Sequence, residues 1–329
     1  MPLSYLAPAV SITLKVIESY GIDPKPLLKN LDINADLILN ANARFSYEQI
    51  DQLWFDAAEI AGDSNFGLRA AKFWHPSQLG ALGYAWLASS SLHTALDRLA
   101  RYMAILTEGA VLSIDEIETE LSVHLQYKKI SKQQPTRTDS FMAVLLIMCR
   151  ANYGEDFYPS SISLTHAEPE DLSEFNALFA CPIYFNAPEN RFNLSKEQAD
   201  RQLISSNPRV AQLSDQVIIE TLAKLEKNNI IEKVQAEILH QLPSANVTDS
   251  TIAKAMNLSS RSLQRKLQKE QTSFKVLLNE LRAQLAEQYI LDSHFSLLDI
   301  AFMLGFNDYS SFSRAFKRWT GLSPSHFRS

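Results

Sequence analysis

The side chains best placed to do chemistry in this chain are Arg261, Gln264 and Arg265, within the segment "SSRSLQRKLQK". At spacings of three and four they share one face of a helix. Arginine bonds guanine O6 and N7 through two N–H groups, and glutamine bonds adenine N6 and N7 in the same way. A second set, Ser310, Ser311 and Arg314, stands in "YSSFSRAFKR" further along the chain. Lys266, Lys269, Lys317 and Arg318 fall further round or later in the same two segments. With Ser259 and Ser260 at the first segment's start, they suit phosphate oxygens rather than base edges. The chemistry implied is reading double-stranded DNA.

Nothing elsewhere has a catalytic spacing. The seven histidines (His75, His93, His124, His166, His240, His294 and His326) show no metal-ligand spacing with one another or with Cys149 and Cys181. No phosphate-binding loop, dinucleotide loop or Gly-x-Ser-x-Gly elbow occurs, and the chain has only 9 glycines. Asp115, Glu116, Glu118 and Glu120 crowd together, but at a hairpin tip such acids are a solvated face. The expectation is therefore no enzyme, no cofactor and no metal. Arg69, Trp74, His75, Trp86 and Tyr102 fall in one helical region with Phe73 and Tyr84. They read either as ordinary core or as the wall of an effector pocket, where Arg69 or His75 would favour a carboxylate.

Around the DNA-suited residues the same unit is written twice. Thr251–Ser273 and Asp299–Ser323 align so that Ile252-Ala253 falls on Ile300-Ala301, Leu258 on Phe306, Leu263 on Phe312, Arg265 on Arg314 and Leu267 on Phe316. Each copy predicts a short helix, a tight turn and a second helix, with Asn257-Leu258-Ser259 and Gly305-Phe306-Asn307 as turns. Ser259 or Ser260, and Asp308, are expected to cap the second helices. Inward-facing Leu263 and Leu267, or Phe312 and Phe316, leave the reading residues outward, with Tyr309, Ser310 and Ser311 on the outer face of copy two. Between the copies Phe274–Leu291 predicts one stiff helix of roughly 27 Å, on the scale of the ~34 Å between successive major-groove faces. An isolated basic helix is more often a solvated face; here repeat, capping and charge coincide.

Charge supports this placement. The chain carries a net −6, yet residues 230–329 hold 12 Lys+Arg against 9 Asp+Glu. Within 251–275 there are six basic residues and one acid, and within 309–329 four basic residues and no acid. Positive charge gathered on two helices of an acidic molecule is a nucleic-acid footprint.

The chain's 329 residues suffice for about two domains. Its longest apolar run, Phe141–Cys149, is half a membrane span. The N-terminal "MPLSYLAPAVSITLK" lacks a basic residue ahead of its apolar stretch, so a secretory signal is not expected. Cys149 and Cys181 read as reduced thiols, with a single disulfide as the alternative. These features suggest the cytoplasm. The first 200 residues mix patterns: a capping box at Ser46 and Gln49, a capped helix after Ser91, and strict alternation at Leu121, Val123, Leu125 and Tyr127, paired with Val111–Ile114. A buried helix at Phe141–Tyr153 follows, then short strands near Ser161–Thr165, Ile183–Phe185 and Arg191–Asn193, with a helix at Asp171–Phe179 between them. Pro208 opens a helix to Lys227, interrupted at Asn228-Asn229.

The stretch "DIAFMLGFNDYSSFSRAFKRWTGLSPSHFR" closely resembles the signature of the AraC/XylS family of bacterial transcription regulators, and the likeness covers Ile231–Ser329. It implies seven helices with two helix-turn-helix subdomains joined by a long helix. Its base-contacting slots fall on Arg261, Gln264, Arg265, Ser310, Ser311 and Arg314. Gln271 departs from the family's usual glycine, so the preceding helix end is expected to be slightly distorted. Less specifically, "RFSYEQIDQLWFDAAEIAGDSNFGLRAA" and "LGALGYAWLASSSLHTALDRLARYMAIL" resemble the arabinose-binding-like effector domain of one branch.

The resulting expectation is an α+β effector-binding/dimerisation domain over 1–206, a linker helix over 207–229 and an all-α DNA-binding domain over 230–329. Its helix-turn-helix subdomains fall at about 247–268 and 295–318. The function implied is a transcription regulator, an activator, responding to a small molecule. Its partners would be operator DNA, RNA polymerase, an unidentified effector and a second copy of the chain, with no membrane. Two alternatives stay open: an N-terminal domain that only dimerises, and a DNA-targeted enzyme.

Overall fold

The computed structural model describes residues 3–128, 134–225, 230–242, 247–256, 258–290 and 295–328. The chain divides into two compact units, Met1–Ser214 and Asp215–Ser329.

The first unit begins with β1 (Ser4–Leu6), which pairs antiparallel with β2 (Arg44–Ser46). Between them lie α1 (Val10–Ser19) and α2 (Pro24–Asn30), the latter capped by Asp23 and started by proline. After β2 comes α3 (Tyr47–Ala61), opened by the expected Ser46–Gln49 capping box and closed at Gly62 in the left-handed region. Val16, Ile17, Ile50, Leu53, Ala57 and Phe66 pack into one fully buried cluster of these elements. Helices α4 (Ala81–Leu87), α5 (Leu92–Arg101) and α6 (Met103–Leu106) follow, with Ser91 capping α5 through the Thr94 N–H.

A five-stranded sheet completes this unit: β3 (Ala110–Glu116), β4 (Glu120–Tyr127), β5 (Ser161–Ser163), β6 (Ile183–Tyr184) and β7 (Asn190–Ser195), in the order β3-β4-β7-β5-β6. All pairs are antiparallel except β5 with β6. Leu121, Val123 and Leu125 are buried on the expected alternate face. His124 breaks the alternation. It is buried as well, between Glu189 Oε2 at 3.0 Å and Asp115 Oδ2 at 3.1 Å.

Across the sheet's chain order run α7 (Gln134–Tyr153), α8 (Ser173–Phe179) and α9 (Lys196–Asp200). Helix α7 is longer than the predicted Phe141–Tyr153. Its first turns bury Arg137 and Asp139, which hydrophobic spacing cannot register; Arg137 pairs with Asp51 at 2.7 Å and Asp139 with His166 at 2.9 Å. Asp139 is held above the usual carboxylate range by burial, partly offset by His166. Burial pulls the His166 imidazole down, but its hydrogen bond and charge interaction with Asp139, with a backbone bond to Ala167, leave it raised. Cys149 and Cys181 are both free thiols.

The unit boundary falls inside α10 (Pro208–Leu225), which sequence reading assigned to a linker. Asp215 is 1% exposed and accepts a hydrogen bond from Gln288 Nε2 at 2.8 Å, both residues belonging to the second unit. The predicted interruption at Asn228-Asn229 lies outside the described residues. Seven further helices follow among the described residues: α11 (Ile230–Gln241), α12 (Asp249–Ala255), α13 (Ser260–Lys269), α14 (Phe274–Ile290), α15 (Leu297–Met303), α16 (Tyr309–Thr320) and α17 (Pro324–Arg328). This half has no strand among them. No helix of the described residues is long and apolar enough to cross a membrane.

Candidate nucleic-acid interface

The repeat in the sequence is a repeat in hydrogen bonds. In copy one, Met256 N–H donates to Ile252 C=O at 3.0 Å and Leu258 N–H to Ala253 C=O at 2.8 Å. In copy two, Leu304 N–H donates to Ile300 C=O at 3.0 Å and Phe306 N–H to Ala301 C=O at 2.9 Å. Thr248 and Ser296 cap the first helices, each within a capping box. Ser259 and Asp308 cap the second helices through Ser262 N–H (3.2 Å) and Ser311 N–H (2.8 Å). Asp308 is held below the usual carboxylate range by the Ser311 N–H and hydroxyl. Asn257, in the first turn, lies outside the described residues.

Each second helix buries one stripe and bares the other. On α13, Leu263 and Leu267 are fully buried, while Arg261, Gln264, Arg265, Lys266 and Lys269 are exposed. Among the described residues no ion pair engages these four cations, so α13 presents uncompensated positive charge. Gln264 donates from Nε2 to Asp249 Oδ2 on α12, so its amide is engaged in the free protein. Ser259 is exposed and Ser260 half-buried.

On α16, Phe312, Ala315 and Phe316 are buried; Ser310, Arg314, Lys317 and Arg318 are exposed. Two residues expected on the outer face are drawn inward. Tyr309 is half-buried with its ring 6.3 Å from that of Phe312. Ser311 is half-buried because the cap engages it: its hydroxyl donates to Asp308 Oδ2 at 2.8 Å and accepts from Arg314 Nη2 at 3.2 Å. The free face of copy two is thus narrower than spacing suggested.

Behind the two faces, α14 supplies the spacer. Its 17 residues extend about 26 Å. From it Arg282 donates through Nε to Leu304 C=O at 2.8 Å and through Nη2 to Gly305 C=O at 3.0 Å, and its guanidinium lies 4.5 Å from the Phe306 ring centroid. Burial lowers the pKa of this guanidinium. Gly305 has φ 70°, and a Cβ there would meet Leu242 C=O at 2.7 Å. Sequence reading did not single out Arg282; an arginine on an amphipathic helix carries no mark of a buried partner.

The two helix ends differ. Copy two stops at Gly321 with φ 81°, which costs glycine nothing. Copy one stops at Gln271 with φ 56°. Thr272 N–H still reaches Leu267 C=O at 3.1 Å. The expected distortion takes the form of left-handed backbone strain rather than a lost bond.

The five residues considered for an effector pocket are dispersed. Trp86 is core, with Nε1 donating to Met148 C=O at 2.8 Å, and Tyr102 is also buried. Arg69 stacks 4.3 Å from the Tyr20 ring and lies near Asp63 and Glu174. His75 is exposed and opens a short 3-10 turn beside Ser77; Trp74 is half-buried against the neighbouring core. None of the five lines the partly open apolar cavity between α1, α5, α6, β4 and α7.

Two helix-turn-helix units with caged cores and exposed cationic second helices define a DNA-binding transcription regulator, a class that is not enzymatic. Known proteins agree. Residues 21–203 match the family described as the arabinose-binding domain of AraC transcription regulator, N-terminal, and residues 252–329 match a helix-turn-helix domain family. The chain belongs to this AraC-type regulator family. It is 26% identical over 335 residues to the ornithine utilization regulator of Pseudomonas aeruginosa, covering 99% of this chain and 98% of the relative. It is 31% identical over 116 residues to the transcriptional activator NphR of a Rhodococcus species, covering 35% of each. The crystal structure of the regulator CdpR from Pseudomonas aeruginosa is similar in fold, with a TM-score of 0.50 at 18% identity over 96% of this chain and 98% of that one.

Proposed function

We propose that α13 and α16 enter successive major grooves of one DNA duplex. Arg261, Gln264 and Arg265 would contact base edges in one groove, and Ser310, Ser311 and Arg314 in the next. Ser259, Ser260, Lys266, Lys269, Lys317 and Arg318 would bond phosphates. The observation that carries this reading is the duplicated turn hydrogen-bonding beneath two exposed cationic helices separated by about 26 Å of helix. Gln264 exchanges its Asp249 partner for a base on binding. The N-terminal domain, ending near residue 206, binds a small-molecule effector and pairs two copies, with residues 207–229 carrying the signal. The partly open apolar cavity in that unit supports effector binding over dimerisation alone. The regulator acts as an activator, the role the relative NphR is named for; it would work in the cytoplasm and contact RNA polymerase.

Selection of duplexes from a random pool by the full chain tests the DNA reading. Two conserved blocks about one helical turn apart are expected. Enrichment of a single short block would contradict simultaneous engagement of both helices.

A further inference from the structure

The N-terminal unit contains a partly open cavity of about 100 Å³ between its first helical elements, α5, α6, β4 and α7. Its wall is apolar, with Ile12, Trp54, Leu99, Met103, Leu125 and Val144 contributing. One charged residue is among those lining it, Arg137. This side chain is 7% exposed and donates from Nη1 to Asp51 Oδ1 at 2.7 Å. The guanidinium lies 4.4 Å from the Tyr47 ring centroid, with the rings of Tyr5 and Tyr127 at 5.7 and 6.0 Å.

Size and charge together restrict the ligand. A void of roughly 150 Å³ lined by aliphatic and aromatic side chains admits benzene; this one is smaller, about 100 Å³, but partly open, so it suits no more than one small ring or a short alkyl body. The Arg137 charge is already matched by Asp51. A carboxylate brought into the cavity would be a second buried anion without a counter-charge, which low-dielectric surroundings penalise. Guanidinium has five N–H donors, and the Asp51 bond engages Nη1. An uncharged oxygen can accept from the rest without that penalty.

We infer that this cavity is a ligand site for a small uncharged molecule with an apolar body and a single carbonyl oxygen held by Arg137. The inference rests on the effector-binding reading above and replaces the carboxylate expected from Arg69 and His75. Those residues stand apart from the cavity wall.

Isothermal titration of the full-length protein, without DNA, tests it with three probes: cyclohexanone, cyclohexane and cyclohexanecarboxylate. Saturable one-to-one binding of cyclohexanone is expected, about tenfold tighter than cyclohexane because of the charge-assisted hydrogen bond. The carboxylate should bind weakest of the three. Val144→Phe, which fills the cavity, should abolish cyclohexanone binding. Methyl NMR of the wild-type chain supplies a readout free of folding effects, since cyclohexanone should shift the Leu99, Met103 and Leu125 methyls. No saturable binding, tightest binding of the carboxylate, or shifts confined to other methyls would overturn the assignment. DNA selection by the same preparation keeps the two ideas apart. Selected DNA without cyclohexanone binding defeats only the ligand site, whereas cyclohexanone binding that leaves DNA occupancy unchanged defeats only the effector role.

Discussion

The two helix-turn-helix copies share a hydrogen-bond plan but differ in what fills and faces it. Copy one is held by aliphatic Leu263 and Leu267, capped by a serine, and presents Arg261, Gln264 and Arg265 outward. Copy two is held by Phe306, Phe312, Phe316 and Trp319, with ring centroids 5.7 to 6.1 Å apart, and is clamped from α14 by Arg282. Its outer face retains Ser310 and Arg314, and Arg314 is partly engaged by Ser311. The difference teaches that one hydrogen-bond frame can carry two kinds of face. Under the proposed function, copy one would discriminate bases, while copy two would contribute a rigid aromatic frame.

The largest break of this contrast is Phe316→Ala. Phe316 is fully buried, and its loss should cost about 3–5 kcal/mol by urea unfolding of the full chain. A cost under about 1 kcal/mol would show that the aromatic core does not hold copy two. Arg282→Ala comes next, at about 2 kcal/mol, because the Leu304 and Gly305 carbonyls lose their donor. It should also weaken DNA affinity, although Arg282 is half-buried and bonded to the turn of copy two rather than placed on a reading face. Gln271→Gly sharpens the comparison from the other side. Relief of left-handed strain should stabilise copy one by about 0.5–1 kcal/mol, whereas Gly321→Ala should destabilise copy two by a similar amount.

The smallest effect concerns pH. Because Asp308 titrates lower folded than unfolded, its capping contribution is fully present above the ordinary carboxylate range and is lost as pH falls from there through its lower folded pKa. The Ser259 cap of copy one has no such dependence. Asp308→Ser should therefore flatten the acid side of copy two's stability profile; an unchanged profile would remove the cap from the account.

Copy two's frame and the capped helices could be read from sequence because their signals are local: Ser91, Ser259 and Asp308 cap as their positions imply. Strand β4 could be read because Leu121, Val123 and Leu125 alternate. What escaped reading depends on distant partners. Arg137 and Asp139 look like surface residues in the sequence and are buried by pairing with Asp51 and His166. That pairing hid both the start of α7 and the charged wall of the cavity. Arg282 escaped for the same reason. Short β1 and β2 carry too few residues to show alternation, and Ser311 seemed free because spacing does not report a cap.

The division of labour is tested most directly by repeating duplex selection with Arg265→Ala and Arg314→Ala beside the wild-type chain. Arg265→Ala should cost about 1–3 kcal/mol on the selected site and relax one base position in its block. Arg314→Ala should cost less and leave every position nearly as selective as before. If Arg314→Ala relaxes its block as much as Arg265→Ala relaxes the other, the copies read DNA equally and the account is contradicted.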